Sequence, residues 1–163
     1  MKYQKNPIEV TPVQLCGNDL PWVEFGKHLG NILENKIDGQ QKDISVKRAK
    51  YINRQNNLNQ EFYFAHPITK FTVNRIYNTD FTGSPLWDFN SNSFESLCKT
   101  WNVSVRIMFD LPRTTHRYLL EPLTEKPHMK FTLMKRFLKF CDQLRSSKKS
   151  VLKSMVNMCE TDT

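Results

Sequence analysis

Nine basic side chains fall between Lys126 and Lys153 (Lys126, Lys130, Lys135, Arg136, Lys139, Arg145, Lys148, Lys149 and Lys153), with Asp142 the lone acid among them. A second group, Lys47, Arg48, Lys50 and Arg54, sits amid many Asn and Gln. Amines and guanidinium groups at this density do one kind of chemistry well: they neutralise a polyanion, and nucleic acid is the default candidate. The chain has 24 Lys and Arg against 16 Asp and Glu, and the charges outside the first segment cancel, so that segment holds the whole net +8. A solvated basic face on a surface helix accounts for the same charge and stands beside that reading.

Other chemistries find less support. The four histidines, His28, His66, His116 and His128, share no metal-ligand spacing. Cys16, Cys98, Cys141 and Cys159 are far apart, which argues against a zinc ribbon or a Cys-x-x-C redox site and predicts reduced, mostly buried thiols. No Gly-x-Ser-x-Gly string and no phosphate loop occurs. No two carboxylates are adjacent, so the paired Asp that flank a transferred phosphate with two metal ions are missing. No apolar run follows Met1, and no stretch approaches the ~18 apolar residues of a membrane span. The expected setting is intracellular, nuclear or cytoplasmic, not secreted, with no membrane partner.

The elements that must position the basic groups are legible from periodicity. Val10 to Leu15 reads as a strand, Cys16-Gly17-Asn18-Asp19 as a turn, Leu20 to Glu24 as an edge strand holding Pro21, and Lys27 to Leu33 as a third strand with Gly30 marking a bulge or a close backbone approach. From there the pattern is helical. One helix, capped by Asp38 or Asp43, runs to about His66 with a thin stripe of Ile44, Tyr51, Ile52, Leu58 and Phe62, and with Lys47, Arg48, Lys50 and Arg54 on the opposite face. A second starts at Pro67 and reaches about Tyr77. The clearest amphipathic segment is Asn92 to Phe109, with Phe94, Leu97, Cys98, Trp101, Val105, Met108 and Phe109 inward. A short helix at His116 to Leu120 is expected to stop at Pro122. Pro127 to Leu144 should turn Leu133, Met134, Phe137, Leu138 and Cys141 inward and Lys130, Lys135, Arg136 and Lys139 outward. A last helix is expected from Ser150 to about Cys159. Trp87 and Trp101 read as core, and Trp22 fits either core or stacking. The fold class is therefore α+β: a short N-terminal antiparallel β-hairpin or three-strand sheet over residues 1–36, a mainly α-helical bundle over 37–145, and a basic C-terminal helix or tail over 146–163. With 39% apolar residues and 12% aromatics there is enough to bury a core.

Several of these strings, taken in order, resemble the end of the polymerase domain in non-LTR (LINE-like) retrotransposon reverse transcriptases. Val23, Lys27, His28, Leu29 and Gly30 match a hairpin that reads Val-x-x-x-Lys-aromatic-Leu-Gly in that family, with His28 in place of the aromatic. Arg75-Ile76-Tyr77, Gly83-Ser84 and Leu86-Trp87 resemble a segment of its helical thumb, and Phe109-Asp110-Leu111-Pro112-Arg113 resembles the Leu-Pro ending that follows. The likeness covers most of residues 10–145. It implies a primer-grip hairpin and a thumb, and a duplex of RNA/DNA primer-template as partner. The family's aromatic-Ala-Asp-Asp motif belongs upstream of the hairpin, so the resemblance implies a chain that neither polymerises nor cuts by itself and holds no cofactor, Mg2+ belonging to the absent palm. Gly30 and His28 would approach the primer terminus, and Lys47, Arg48, Lys50, Arg54, Lys135, Arg136 and Lys139 would touch phosphates without reading sequence. A hairpin left unpaired would expose Trp22, Phe25 and Leu29 and promote self-association. The remaining alternatives are a nucleic-acid-binding helical protein unrelated to polymerases and a protein-interaction bundle.

Overall fold

The structure, a computed structural model, describes residues 14–16, 18–19, 23–34, 40–79 and 81–149. Two short hairpins lead into a helical bundle, an α+β arrangement. Strands β1 (Gln14–Leu15) and β2 (Asn18–Asp19) pair antiparallel, and β3 (Phe25–His28) pairs antiparallel with β4 (Asn31–Glu34), Phe25 facing Glu34 and His28 facing Asn31. The expected single strand from Lys27 to Leu33 is thus two strands. Leu29 and Gly30 turn the chain with φ of 46° and 82°, the two positive values that a tight hairpin matched to strand twist requires. Gly30 is explained by that φ, since a Cβ there would meet nothing within 4 Å.

Helix α1 (Gln41–Glu61) packs along β4 on one side and the central helix on the other. Its cap is Gln40 and not Asp43, while Asp38 lies outside the described residues. Its buried stripe is Ile44, Lys47, Tyr51, Gln55 and Leu58, with Asp43 beside it. The apolar pattern looks thin because two stripe positions, Lys47 and Gln55, are polar. Helix α2 (Pro67–Val73) begins with proline at its permitted first position, and Asn74–Asn78 continues it as a wider π-turn. A 3-10 turn at Ser84–Leu86 leads to α3 (Asn92–Met108), which Ser91 caps by accepting from the Phe94 N–H. Phe94, Leu97, Trp101, Val105 and Met108 are buried, as their spacing predicts, and Cys98 and Phe109 pack at the edge of the same core. Aromatic rings bind the layers together, Tyr51 lying 5.9 Å from Trp101 and 6.0 Å from Phe81, and Phe71 6.0 Å from Trp101.

After a 3-10 turn at Arg117–Leu119, α4 (Leu120–Thr124) carries Pro122 in its first turn, where the missing N–H costs nothing, so that proline does not end the helix as expected. Helix α5 (Met129–Arg145) buries only Met129 and Leu133. Met134 and Leu138, expected inward, are exposed, whereas Phe137 does face inward, its ring packed 5.8 Å from that of Phe89 although the residue is still 37% exposed. The thiols are free among the described residues, but Cys16 is exposed, contrary to expectation, and Cys98 and Cys141 are half-buried. Burial pushes the Cys98 thiol up to about 11, which makes it inert. Cys159, Trp22 and the expected helix at 150–159 lie outside the described residues. Among the described residues no helix is long and apolar enough to cross a membrane.

Two histidines act as helix caps. The Nδ1 of His66 accepts from the Ile68 N–H at 3.3 Å, and the Nδ1 of His128 accepts from the Lys130 N–H at 3.1 Å while its Nε2 bonds Asn102 Oδ1 at 2.9 Å. Burial lowers the His128 pKa, so the folded chain holds this ring neutral. The unfolded chain takes up a proton near the ordinary value of about 6.5, before the folded one does, so this stability is complete above that value and is lost as pH falls through it. Urea midpoints should drop between about pH 7.5 and about pH 5, and His128→Asn, which caps without titrating, should make the drop smaller. An unchanged drop would remove His128 from this role.

Candidate functional site

The densest polar arrangement is buried under the hairpin. Lys47 Nζ donates to Asp43 Oδ2 at 2.8 Å, to Asn31 Oδ1 at 2.6 Å and to the Thr82 carbonyl oxygen, which uses all three of its donors. Asp43 accepts in addition from the Ile32 N–H at 3.0 Å and from Trp87 Nε1 at 2.9 Å. The Lys47 ammonium also lies 5.4 Å from the centre of the Trp87 ring. Gly83 makes room for this cluster. Its φ is +81°, and a Cβ on it would come within 2.5 Å of Asn31 Oδ1. Gly83 thus lies against Asn31 of the hairpin, while Trp87 bonds Asp43, which also accepts from Ile32 of the same hairpin.

A second buried network lies along α1. Tyr51 Oη accepts from Asn74 Nδ2 at 3.1 Å, and Asn74 Oδ1 accepts from Asn78 Nδ2 at 2.9 Å, so the π-turn is held by the same side chain that anchors the aromatic core. Burial pushes the Tyr51 hydroxyl up to about 12, and it stays protonated. Neither network follows from the sequence reading, because isolated Asp, Lys and Asn in a helix read as surface; the signal that exists is the one-turn spacing of Asp43, Lys47 and Tyr51, and of Asn74 and Asn78.

The expected basic face of α1 does not form as one surface. Lys47 is buried in the ion pair and offers nothing to phosphate, a correction to its place among the nucleic-acid candidates. Arg48 leans to one flank, where its Nε donates to Thr100 Oγ1 at 2.7 Å. Lys50 and Arg54 lie toward the other flank, and Arg54 Nη1 donates to the Tyr77 carbonyl at 3.4 Å. Tyr77 itself is exposed, as is its neighbour Ile76. His28 and Gly30 are at the exposed hairpin tip, and the Lys42 ammonium lies 3.1 Å from the ring centre of Phe25, which is itself exposed. Lys135, Arg136 and Lys139 are exposed on α5, which packs against α3 and the 84–86 turn. The two salt bridges among the described residues, Lys47 with Asp43 and Lys99 with Glu95, leave these exposed cations without carboxylate partners there. Among the described residues no group of three or more His, Cys, Asp or Glu is arranged to hold a metal ion. No family model matches the chain, and no curated protein or solved structure matches it.

Removing one member of a buried ion pair leaves the other uncompensated. Lys47→Met should cost about 3–5 kcal/mol in urea denaturation, whereas Lys50→Met on the exposed flank should stay within about 0.5 kcal/mol. The double variant Asp43→Leu/Lys47→Met should lose less than Lys47→Met alone. Equal effects at Lys47 and Lys50 would mean that the pair is not what holds the hairpin to α1.

Proposed function

We propose that this chain is a thumb-like clamp on duplex nucleic acid, similar in role to the primer-grip and thumb portion of a LINE-like reverse transcriptase, and that it binds RNA/DNA primer-template without reading sequence. The observation that carries the reading is the solvent-facing flank of α1, where Lys50 and Arg54 lack carboxylate partners among the described residues and Arg54 reaches exposed Tyr77. Two cations one helical turn apart suit successive phosphates, and an aromatic ring at their edge suits a sugar or a terminal base. Support also comes from the hairpin. The buried ion pair ties Asn31 and Ile32 to α1, so the hairpin that carries the His28 tip is anchored to the helix that carries Lys50 and Arg54. In this reading the chain binds and positions; polymerisation, with its metal ions, is the work of a palm.

The set on α5, Lys135, Arg136 and Lys139, extends the basic surface but shares its helix with exposed apolar side chains. Phosphates make no use of such side chains, so the duplex is assigned chiefly to the α1 flank.

Anisotropy of the whole chain against a recessed-end RNA/DNA duplex should show log K falling linearly with log salt and competition by unrelated sequences. Lys50→Gln/Arg54→Gln should weaken binding and lower the magnitude of that salt slope by about 2, roughly one for each phosphate no longer neutralised. Absence of binding at low salt by the folded chain would sink the clamp.

A further inference from the structure

Helix α5 presents to solvent what a bundle helix ordinarily hides. Phe131, Met134 and Leu138, spaced i, i+3, i+7, are 58%, 40% and 61% exposed. Its inward side is occupied by buried Met129 and Leu133 and by Phe137, whose ring lies 5.8 Å from that of Phe89. At about 100° per residue the three exposed side chains form one narrow ridge, with Lys135 and Lys139 along one border and Lys130 along the other. None of these lysines takes part in a salt bridge among the described residues. Asp142, one turn beyond Leu138, is the helix's only acid.

An apolar ridge bordered by two lysines on one side and by a third on the other has a definite complement. We propose that this face docks an acidic amphipathic helix of a protein partner, its apolar side chains interleaving with Phe131, Met134 and Leu138 while its carboxylates meet Lys130, Lys135 and Lys139. The anchors have the spacing that helix-on-helix recognition uses, and flanking charges of this kind choose the partner and its orientation. A second copy of this chain is a poor occupant, since two α5 helices face to face set lysine against lysine. Nucleic acid is a poor occupant too, because phosphates gain nothing from the ridge that separates the cations.

The test is a titration of the whole chain with a labelled synthetic helix of about three heptads, leucine on its apolar face and glutamate on both flanks, against the same helix with lysine flanks. The glutamate helix should bind, and bind more weakly as salt rises. Leu138→Gln should weaken it about tenfold while leaving duplex affinity unchanged. Lys135→Glu/Lys139→Glu, which leaves the ridge intact, should reverse the preference toward the lysine helix. Equal binding of the two helices, or binding of neither, would overturn the proposal. So would a Leu138→Gln chain whose duplex affinity falls instead, which would give the face to nucleic acid. A melting temperature lowered by Leu138→Gln with no peptide binding would give the face to the chain's own C-terminal residues and overturn it equally.

Discussion

A lysine ammonium taken out of water must find three acceptors and a counter-charge, and Lys47 finds them on three separate stretches of chain: Asp43 on α1, Asn31 on β4 and the Thr82 carbonyl before the 84–86 turn. Desolvating such a pair costs several kcal/mol per ion, so its attraction alone does not make it a source of stability. What it supplies is specificity. No other register of the hairpin on α1 would bring Asn31 Oδ1 and the Ile32 N–H to this pair, and no other course of the 82–87 segment would bring the Trp87 indole to Asp43. The apolar core cannot do this, because most of the β3–β4 hairpin's own apolar side chains, Val23, Phe25, Leu29 and Leu33, remain exposed.

That division of labour orders the rest of the molecule. Aromatic packing among Tyr51, Phe71, Phe81, Trp87, Phe94 and Trp101 makes the helical part cohere, and the polar cluster under it decides where the hairpin sits. The requirement for Gly83 follows directly, since the chain must pass close against the Asn31 amide with a positive φ. Asn74 plays the corresponding role further along α1, where a wider turn of backbone is held in place by a hydrogen bond to Tyr51.

The helices and most of the core are legible in the sequence. Asn92 to Phe109 announces itself by spacing, Pro67 marks the start of α2, and Trp87 and Trp101 are as buried as their surroundings suggest. The stretch from Lys27 to Leu33 reads as one strand because Gly30 reads as a bulge within it, whereas Leu29 and Gly30 form a turn whose signature is two positive φ angles. The turning inward of Lys47 is not legible at all. A lysine flanked by Arg48 and Lys50 looks like one member of a charged face, and only the counter-charge one turn earlier, together with acceptors far away in sequence, reverses that. Histidine caps escape for a similar reason: nothing in the sequence around His66 or His128 marks the imidazole as the acceptor of a backbone donor.

Loss of Lys47 from the basic face sharpens the functional reading. Four cations read from sequence as one patch would bind a phosphate backbone diffusely, whereas the folded chain sends Arg48 to the α3 side and leaves Lys50 and Arg54 on the side of the π-turn. A pair that close can follow one strand of a duplex and cannot easily straddle two. The candidate cations on α5, Lys135, Arg136 and Lys139, share their helix with exposed side chains that water does not favour and phosphate does not need. The candidate cations are thus divided by the fold into two surfaces of different chemistry, the first proposed to track a backbone and the second to recognise a helix.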